Sequence, residues 1–236
     1  MLEILYQDEY LVAINKPNGL LVHPTKMAKD AKEFALQLLR DQLNRFVYPC
    51  HRLDRKTSGV LLFALDEHTN SLMQTKFLQG DLQKKYLAIV RGFTTSQLTI
   101  DYPLKNDAGK TQEAITIFKT LTQREIPISS GKHPSSRYSL IEVTPLSGRM
   151  HQIRKHLAHV FHPIIGDRPH GCNKQNKLFK EKWNMNTMML HAATLEFSHP
   201  ITNENLKMCA APPSEFARVC DILSFSKPSI LGLGKS

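Results

Sequence analysis

The chain has 236 residues, and its 31 Lys and Arg against 21 Asp and Glu give a formal net charge of +10. Its hydrophobic content of 41% is typical of a globular protein, and no apolar run approaches membrane-spanning length. The four cysteines lack paired CxxC spacing, which argues against a zinc knuckle or a disulfide framework. No signal peptide is recognisable, so we expect a cytoplasmic protein with reduced thiols. The positive charge favours a nucleic-acid partner, although a generally basic surface would explain it as well.

Apolar periodicity predicts strands and helices in an irregular order, with strands in the majority. Proline and glycine mark the turns, and Asp30 with Glu33 has the spacing of a capping box at a helix start. The predicted elements are a hairpin over 2–14, a turn over 15–19, a helix over 30–46, a strand over 60–65, a helix over 67–79, strands over 86–91, 114–118 and 139–144, a helix over 153–160, a helix or strand pair over 188–197 and a strand over 206–210.

The remaining segments are polar and predict connections. Residues 94–111 look like a variable connection, 122–137 and 168–186 like loops, and 224–236 like a flexible tail. Strands and helices do not alternate regularly, and no repeat or linker divides the chain. These features predict an α+β fold with a single domain over 1–223.

Residues 51–59, HRLDRKTSG, crowd basic side chains around one carboxylate, that of Asp54. The apolar run that follows is bounded by a glycine and predicts a buried strand, so Asp54 should lie on a loop at the mouth of that strand. Its carboxylate is either an ion-pair partner of Arg52 or Arg55 or a catalytic group. An ionised carboxylate in this setting suits a nucleophile or an electrostatic stabiliser better than a general acid.

Two residues distant in sequence suit the same chemistry. Arg154 lies on the helix predicted over 153–160, and its planar guanidinium can hold a carboxylate bidentately. A basic helix face in solvent, or phosphate contacts, would account for it equally. Tyr86 follows Lys84 and Lys85 and could stack on an unstacked nucleobase, although packing at a strand end is the simpler explanation.

The spacing of His156, His159 and His162 invites comparison with a metal site. It runs through a helix end, has no thiolate spacing and lacks a clear supporting carboxylate other than Asp167. We therefore interpret these histidines as structural or RNA-contacting residues and predict no metal.

Five segments together resemble the motifs of the RluA-type pseudouridine synthases. They occur in the family's order, cover about residues 2–213, and read NKPNGLLVHP, HRLDRKTSGVLLFA, KKYLAIVRG, SGRMHQIRKHLAH with HPIIGD, and LHAATLEFSHP. The resemblance implies the pseudouridine synthase fold, in which a central mixed, mainly antiparallel sheet is flanked by helices and loops around a basic cleft. It also implies the isomerisation of uridine to pseudouridine in RNA, without a cofactor or a metal.

The same resemblance implies roles for individual residues. Asp54 falls on the catalytic aspartate, Tyr86 on the tyrosine that stacks against the target base, and Arg154 on the arginine that salt-bridges the aspartate. We expect these three side chains to meet in one cleft, and whether Asp54 attacks the base or the sugar stays open. Arg52 is a candidate to fill the gap left by the flipped base. The other candidate RNA-binding residues are Arg55, Lys84, Lys85, Arg149, His151 and Lys155.

Some departures from the common family pattern narrow the subgroup. Phe161 stands where the family more often has Gly, and His170-Gly171 where Tyr-Gly is frequent. With residues 134–138 and the basic loop over 173–177, these departures resemble the subgroup that modifies uridine 65 of tRNA. We expect a monomer that binds tRNA, has no membrane partner and lacks the small S4-type RNA-binding domain of many relatives.

Other functions stay open at this point. Within the family, the alternative substrate is rRNA. A non-catalytic RNA-binding protein or RNA chaperone on the same scaffold is compatible with the charge, although binding alone does not need a carboxylate in a basic groove. A nucleic-acid glycosylase or nuclease using Asp54 is a third hypothesis.

Overall fold

The computed structural model describes residues 1–24, 33–131 and 133–225. The strands in this part of the chain are β1 Glu3–Gln7, β2 Leu11–Lys16, β3 Tyr48–Pro49, β4 Ser58–Ala64, β5 Gln83–Arg91, β6 Gln97–Asp101, β7 Leu104–Lys105, β8 Thr111–Gln112, β9 Ile115–Ile126, β10 Ser136–Pro145, β11 Leu190–Ser198 and β12 Asn205–Cys209. The helices are α1 Ala35–Leu43, α2 Glu67–Gln79, α3 Gln152–His159, α4 Asn173–Trp183 and α5 Ser214–Ile222.

Two compact units make up the described chain, and the first combines the N-terminal third with a later segment. Unit 1 comprises Met1–Lys84 and Ala192–Ala211. Its strands follow the order β1-β2-β4-β11, with β3 on β4 and β12 on β11. The hairpin predicted over 2–14 is confirmed as the antiparallel pair β1 and β2. Met73 of α2 packs in one buried cluster with side chains of β2, β4 and β11, so the apolar face of α2 covers this sheet.

Unit 2 comprises Lys85–His191 and the described part of Pro212–Ser236. Its strands follow the order β5-β10-β9-β6, and each of these neighbours is antiparallel. α3 packs against β9 and β10. Tyr138 of β10 is fully buried, and its hydroxyl donates to Oε1 of Gln175 on α4 (2.6 Å).

The α+β class and the main strands are confirmed, but three polar segments were assigned wrongly. The loop predicted over 122–137 is strand up to Ile126 and strand again from Ser136. The loop predicted over 168–186 contains α4, and the connection predicted over 94–111 contains short strands. α1 begins at Ala35, after Glu33, and the capping-box residue Asp30 lies outside the described residues. The predicted tail lies outside them from residue 226 onwards.

Within the described ranges, the longest helix is too short and too polar to span a membrane. The single domain predicted over 1–223 stays a prediction.

Candidate active site

Asp54 lies in unit 1 on a tight turn between β3 and β4. The backbone N–H of Thr57 donates to the Asp54 carbonyl (3.0 Å) and closes this turn. β4 follows directly and is buried at all seven positions, so the turn is anchored on a core strand, as the sequence predicted. The Asp54 side chain itself is half-buried and takes part in interactions of its own.

Lys16, at the end of β2, is a buried cation beside the Asp54 turn. It has no exposed surface, and its Nζ donates to the carbonyls of Pro17 (2.9 Å), Leu20 (2.8 Å) and Arg55 (3.3 Å). Three acceptors match the three N–H donors of an ammonium group. Burial lowers the pKa of Lys16 to about 7, and the negative charge of Asp54 opposes that shift. Lys16 thus ties the turn after β2 to the loop that carries Asp54.

Further hydrogen bonds join the same two loops. The backbone N–H of Gly19 donates to the Arg55 carbonyl (2.8 Å), and Nε of Arg55 donates back to the Gly19 carbonyl (3.1 Å). Nδ2 of Asn18 donates to the Lys56 carbonyl. Residues 15–19 were predicted as a turn and as part of a family motif, but not as the support of the Asp54 loop. A lysine that ends a buried strand was the available signal.

His51 fixes the start of the Asp54 loop. Its Nε2 accepts the backbone N–H of Leu62 in β4 (3.1 Å), and its ring stacks on Phe77 of α2 with centroids 4.7 Å apart. Burial, together with the charge of Lys84, lowers the pKa of His51 to about 3. A ring nitrogen that accepts a hydrogen bond belongs to the neutral imidazole, which agrees with this direction.

The depressed pKa of His51 predicts a loss of stability in mild acid. The unfolded imidazole takes up a proton near pH 6.5, whereas the folded one does so only near pH 3. The contribution of neutral His51 to the unfolding free energy is therefore fully present above pH 6.5, and it is lost progressively as the pH falls towards 3. We expect His51 to account for about 2 kcal/mol of lost unfolding free energy between pH 7 and pH 5. Urea unfolding at pH 7 and at pH 5 measures this loss of unfolding free energy.

The matched control for this prediction is His51→Gln, which keeps an acceptor but does not titrate. Its unfolding free energy should fall less over the same pH interval than that of the natural chain. Equal losses in both proteins would contradict the role assigned to His51.

Tyr86 lies in unit 2 on β5, opposite Val143 of β10. Its side chain is half-buried and takes part in interactions. The neighbouring Lys85 forms an ion pair with Glu142 (3.3 Å). Tyr86 is therefore placed on a paired strand rather than on a loop.

The side chain of Gln152 fixes the start of α3. Its Oε1 accepts from the Ser147 hydroxyl (2.7 Å) and from the Arg149 backbone N–H (3.0 Å), while its Nε2 donates to the Ile115 carbonyl of β9 (2.9 Å). These bonds join the loop before α3 to the sheet of unit 2, and they set the position from which Arg154 extends two residues later.

Arg154 forms a buried, bidentate ion pair with Asp167. Nε of Arg154 donates to Oδ2 of Asp167 and Nη2 donates to Oδ1, each at 2.8 Å. Only 8% of the Arg154 side chain and 1% of the Asp167 side chain are exposed. Two parallel bonds orient the guanidinium plane. The pairing of Asp167 with Arg154 could not be predicted from the sequence, because the contact depends on the turn that follows α3.

Replacing Asp167 with Asn should destabilise the protein strongly. The substitution leaves the Arg154 charge buried without its carboxylate, and breaking a buried ion pair from one side costs about 3 kcal/mol or more. Chemical unfolding followed by circular dichroism measures the loss. Glu125→Gln is the control, since it breaks the ion pair of Glu125 with Arg137 on the surface of the same unit. If both variants unfold at the same denaturant concentration, Asp167 is not the support we describe.

The three histidines of the possible metal motif have separate partners. Nε2 of His156 donates to the Tyr102 carbonyl and its Nδ1 accepts from the Thr116 hydroxyl, both at 2.9 Å, and burial lowers the pKa of His156. His159 stacks on Tyr102 with ring centroids 3.8 Å apart, and Nδ1 of His162 donates to a backbone carbonyl (3.0 Å). In the described part of the chain, no group of three or more His, Cys, Asp or Glu could hold a metal ion.

His151 and His170 form a hydrogen-bonded pair in unit 2. Nδ1 of His151 lies 3.0 Å from Nε2 of His170, so one of these nitrogens donates and the other accepts. His151 has a left-handed backbone (φ 56°) at the position before α3. The His170 backbone N–H points to Oδ1 of Asp167 (3.4 Å), which places the pair next to the Arg154–Asp167 ion pair.

The structure places the other candidate RNA-binding residues in different settings. Arg52 and Arg55 are exposed, while Lys84 is partly buried and burial lowers its pKa. Nε of Arg149 donates to the Glu113 carbonyl (3.1 Å), and Nζ of Lys155 donates to the Lys105 carbonyl (3.4 Å). Their roles stay predictions, as does the meeting of Asp54 with Tyr86 and Arg154.

Comparison with known proteins places this chain in a family. Residues 10–159 match the family described as RNA pseudouridylate synthase. The match covers more than half of the chain, and the chain belongs to this family, which confirms the resemblance seen in the sequence.

Individual relatives are similar over almost the whole length. The tRNA pseudouridine synthase C of Vibrio parahaemolyticus is 47% identical over 89% of this chain and 90% of its own length. The protein of the same name from Pasteurella multocida is 43% identical over 97% and 99%, respectively. Among solved structures, human RNA Pseudouridylate Synthase Domain Containing 4 is 26% identical, with a TM-score of 0.74 over 96% of this chain and 94% of that one.

Proposed function

We propose that this protein isomerises uridine 65 of tRNA to pseudouridine, with Asp54 as the essential carboxylate. The observation that carries the proposal is the near full-length identity of 43 to 47% to proteins named tRNA pseudouridine synthase C. The turn that holds Asp54 on a core strand supports it, because a reacting carboxylate has to be held in place by its surroundings.

The reaction breaks the bond between the ribose and N1 of uracil and joins the same ribose carbon to C5. C5 gives up a proton, and N1 gains one, so that substrate and product are isomers. Asp54 is proposed to act as the nucleophile or as the electrostatic stabiliser of the separated fragments. Tyr86 is proposed to stack on the flipped base, and Arg154 to pair with Asp54. Both are set on rigid elements, β5 for Tyr86 and the Asp167-bound face of α3 for Arg154.

Binding of the RNA is proposed to use the basic residues around these motifs. Arg52 is the candidate to fill the gap that the flipped base leaves in the RNA stack. The other proposed RNA-binding residues are Arg55, Lys84, Lys85, Arg149, His151 and Lys155. We further propose that the protein works as a monomer in the cytoplasm. Phosphate contacts by such residues make binding depend on salt.

The experiment is a tritium-release assay with tRNA labelled at C5 of uridine. The proposal expects release of label to water from tRNA and pseudouridine at position 65 of the product. Free uracil or broken strands would instead identify a glycosylase or nuclease. Release from rRNA alone would identify an rRNA enzyme, and tight tRNA binding without release from any RNA would identify a binding protein.

A further inference from the structure

A basic surface pocket in unit 2 contains none of the proposed catalytic or RNA-binding residues. It has a volume of about 410 Å³. Three segments line it: the turn after α3, one face of α4, and the residues before β11. We call it the α4 pocket, and its lining residues are Gly166, Arg168, Asn173, Asn176, Lys177, Lys180, Glu181, Met185, Asn186 and Thr187.

The charge of the α4 pocket suits an anion. Arg168, Lys177 and Lys180 supply three cations, and Glu181 is the one carboxylate in the lining. The ion pair of Lys177 with Glu181 is long (3.7 Å), and both side chains are mostly exposed (74% and 65%), so this weak pair leaves Lys177 available to a ligand, and the lining keeps an excess of positive charge. Met185 is the one large apolar residue of the lining, which makes an apolar ligand a poor fit.

The helix itself adds to the positive potential. The pocket residues of α4 recur three and four positions apart, which places them along one face of the helix. That face includes the first turn of α4, where no side chain caps the free backbone N–H groups. The partial positive charge of a helix N-terminus favours anions. Here it acts together with the three cationic side chains.

The walls of the pocket are rigidly joined. Asn176 accepts the backbone N–H of Gly166 (2.8 Å) and donates to the Asp167 carbonyl (2.7 Å). A Cβ on Gly166 would lie 1.9 Å from the Thr187 carbonyl oxygen, so the turn and the third wall are in close backbone contact. The pocket is therefore formed before a ligand arrives, which limits the entropy lost on binding. Asp167, in the same turn, holds Arg154.

We propose that the α4 pocket binds phosphodiester groups of the RNA substrate. This inference rests on the proposed function, since it takes the RNA to be the substrate of the same chain. Lys177 and Lys180 are the main ligands of the phosphates, with Arg168 at the opposite wall. The contact is independent of base sequence, because only backbone phosphates are bound.

The test compares two double variants with the same loss of charge on the same helix. Lys177→Gln with Lys180→Gln removes two pocket cations, and Lys174→Gln with Lys182→Gln removes two exposed cations outside the lining. Binding is measured by fluorescence anisotropy with tRNA that carries cytidine at the target position, at 0.15 M salt, where charges more than about 8 Å apart are largely screened.

The pocket variant should bind tRNA about tenfold more weakly than the natural chain. The slope of the logarithm of its binding constant against the logarithm of the salt concentration should be smaller by about one unit per lysine. The control variant should stay closer to the affinity of the natural chain, because neither of its lysines lines the pocket. In the tritium assay, the pocket variant should raise KM and leave kcat unchanged. Equal binding by the two double variants would overturn the inference.

Inorganic phosphate is the other ligand of this chemistry that the α4 pocket could bind. If inorganic phosphate raises the unfolding temperature of the natural chain but not of the pocket variant, while tRNA binding is equal in both, the pocket binds a free anion and the RNA assignment fails. The proposed function fails separately, when the natural chain releases no label from any RNA. Weaker tRNA binding by the pocket variant would still support the pocket in that case.

Discussion

Asp54→Asn should abolish the release of tritium from C5-labelled tRNA while tRNA binding survives. Asparagine has nearly the shape of aspartate but carries no charge, and a neutral amide is neither a nucleophile nor a stabiliser of positive charge. We expect activity to fall on the order of ten-thousandfold or more, the scale observed when a member of a catalytic set is removed. The turn should persist, because the Thr57 N–H is bound by the backbone carbonyl of residue 54.

Asp66→Asn is the matched control for this substitution. Asp66 caps α2 by accepting the Thr69 backbone N–H (2.8 Å), and asparagine is an equally good cap. The control should keep full activity and nearly full stability. Undiminished release by Asp54→Asn would remove Asp54 from the mechanism, and loss of both release and tRNA binding would point to a structural role.

Gly59→Ala should unfold or severely destabilise unit 1. Gly59 has φ +112°, and an added Cβ would lie 2.1 Å from the Ala192 carbonyl oxygen of β11. Both atoms belong to paired strands, so the clash cannot be relieved by turning a side chain. We expect a loss of about 4 kcal/mol or more, since overpacking and backbone strain act together. Urea unfolding and the yield of folded protein measure it.

Gly109→Ala separates the steric effect from the backbone effect. Gly109 also has a positive φ (+76°), but no atom lies within 4 Å of its added Cβ. Gly109→Ala should lose about 1 kcal/mol of unfolding free energy, which is the cost of a left-handed backbone for alanine. Similar losses for the two variants would show that the approach of β4 to β11 is not the reason for glycine at position 59.

The elements with strong apolar patterns were predictable from the sequence. β4 is apolar from Val60 to Ala64 and fully buried, and α2 ends at Gln79, where Gly80 follows with a left-handed backbone (φ 80°). The latter half of β9 was missed because it lacks an apolar pattern. Beyond Thr120 it pairs with β10 but no longer with β6, and its side chains are mostly part-exposed and polar.

α4 was missed for a similar reason. Its sequence NKQNKLFKEKW has few apolar residues, and only Gln175 and Phe179 are buried. Such a helix owes its position to tertiary contacts, among them the bond from Tyr138 to Gln175.

The candidate site was predictable in its motif residues but not in the residues that support them. Asp54, Tyr86 and Arg154 stand in recognisable motifs. The supporting roles of Lys16 and Asp167 could be identified only from the structure, because their partners come from other segments of the chain. A buried ion pair or a buried lysine depends on contacts that local sequence does not encode.

The most direct test of the proposed function is the mapping of pseudouridine in tRNA from cells that lack the gene. Pseudouridine should be absent at position 65, return when the natural chain is expressed, and stay absent with Asp54→Asn. Pseudouridine that persists at position 65 without the gene, or that Asp54→Asn restores, would contradict the proposal.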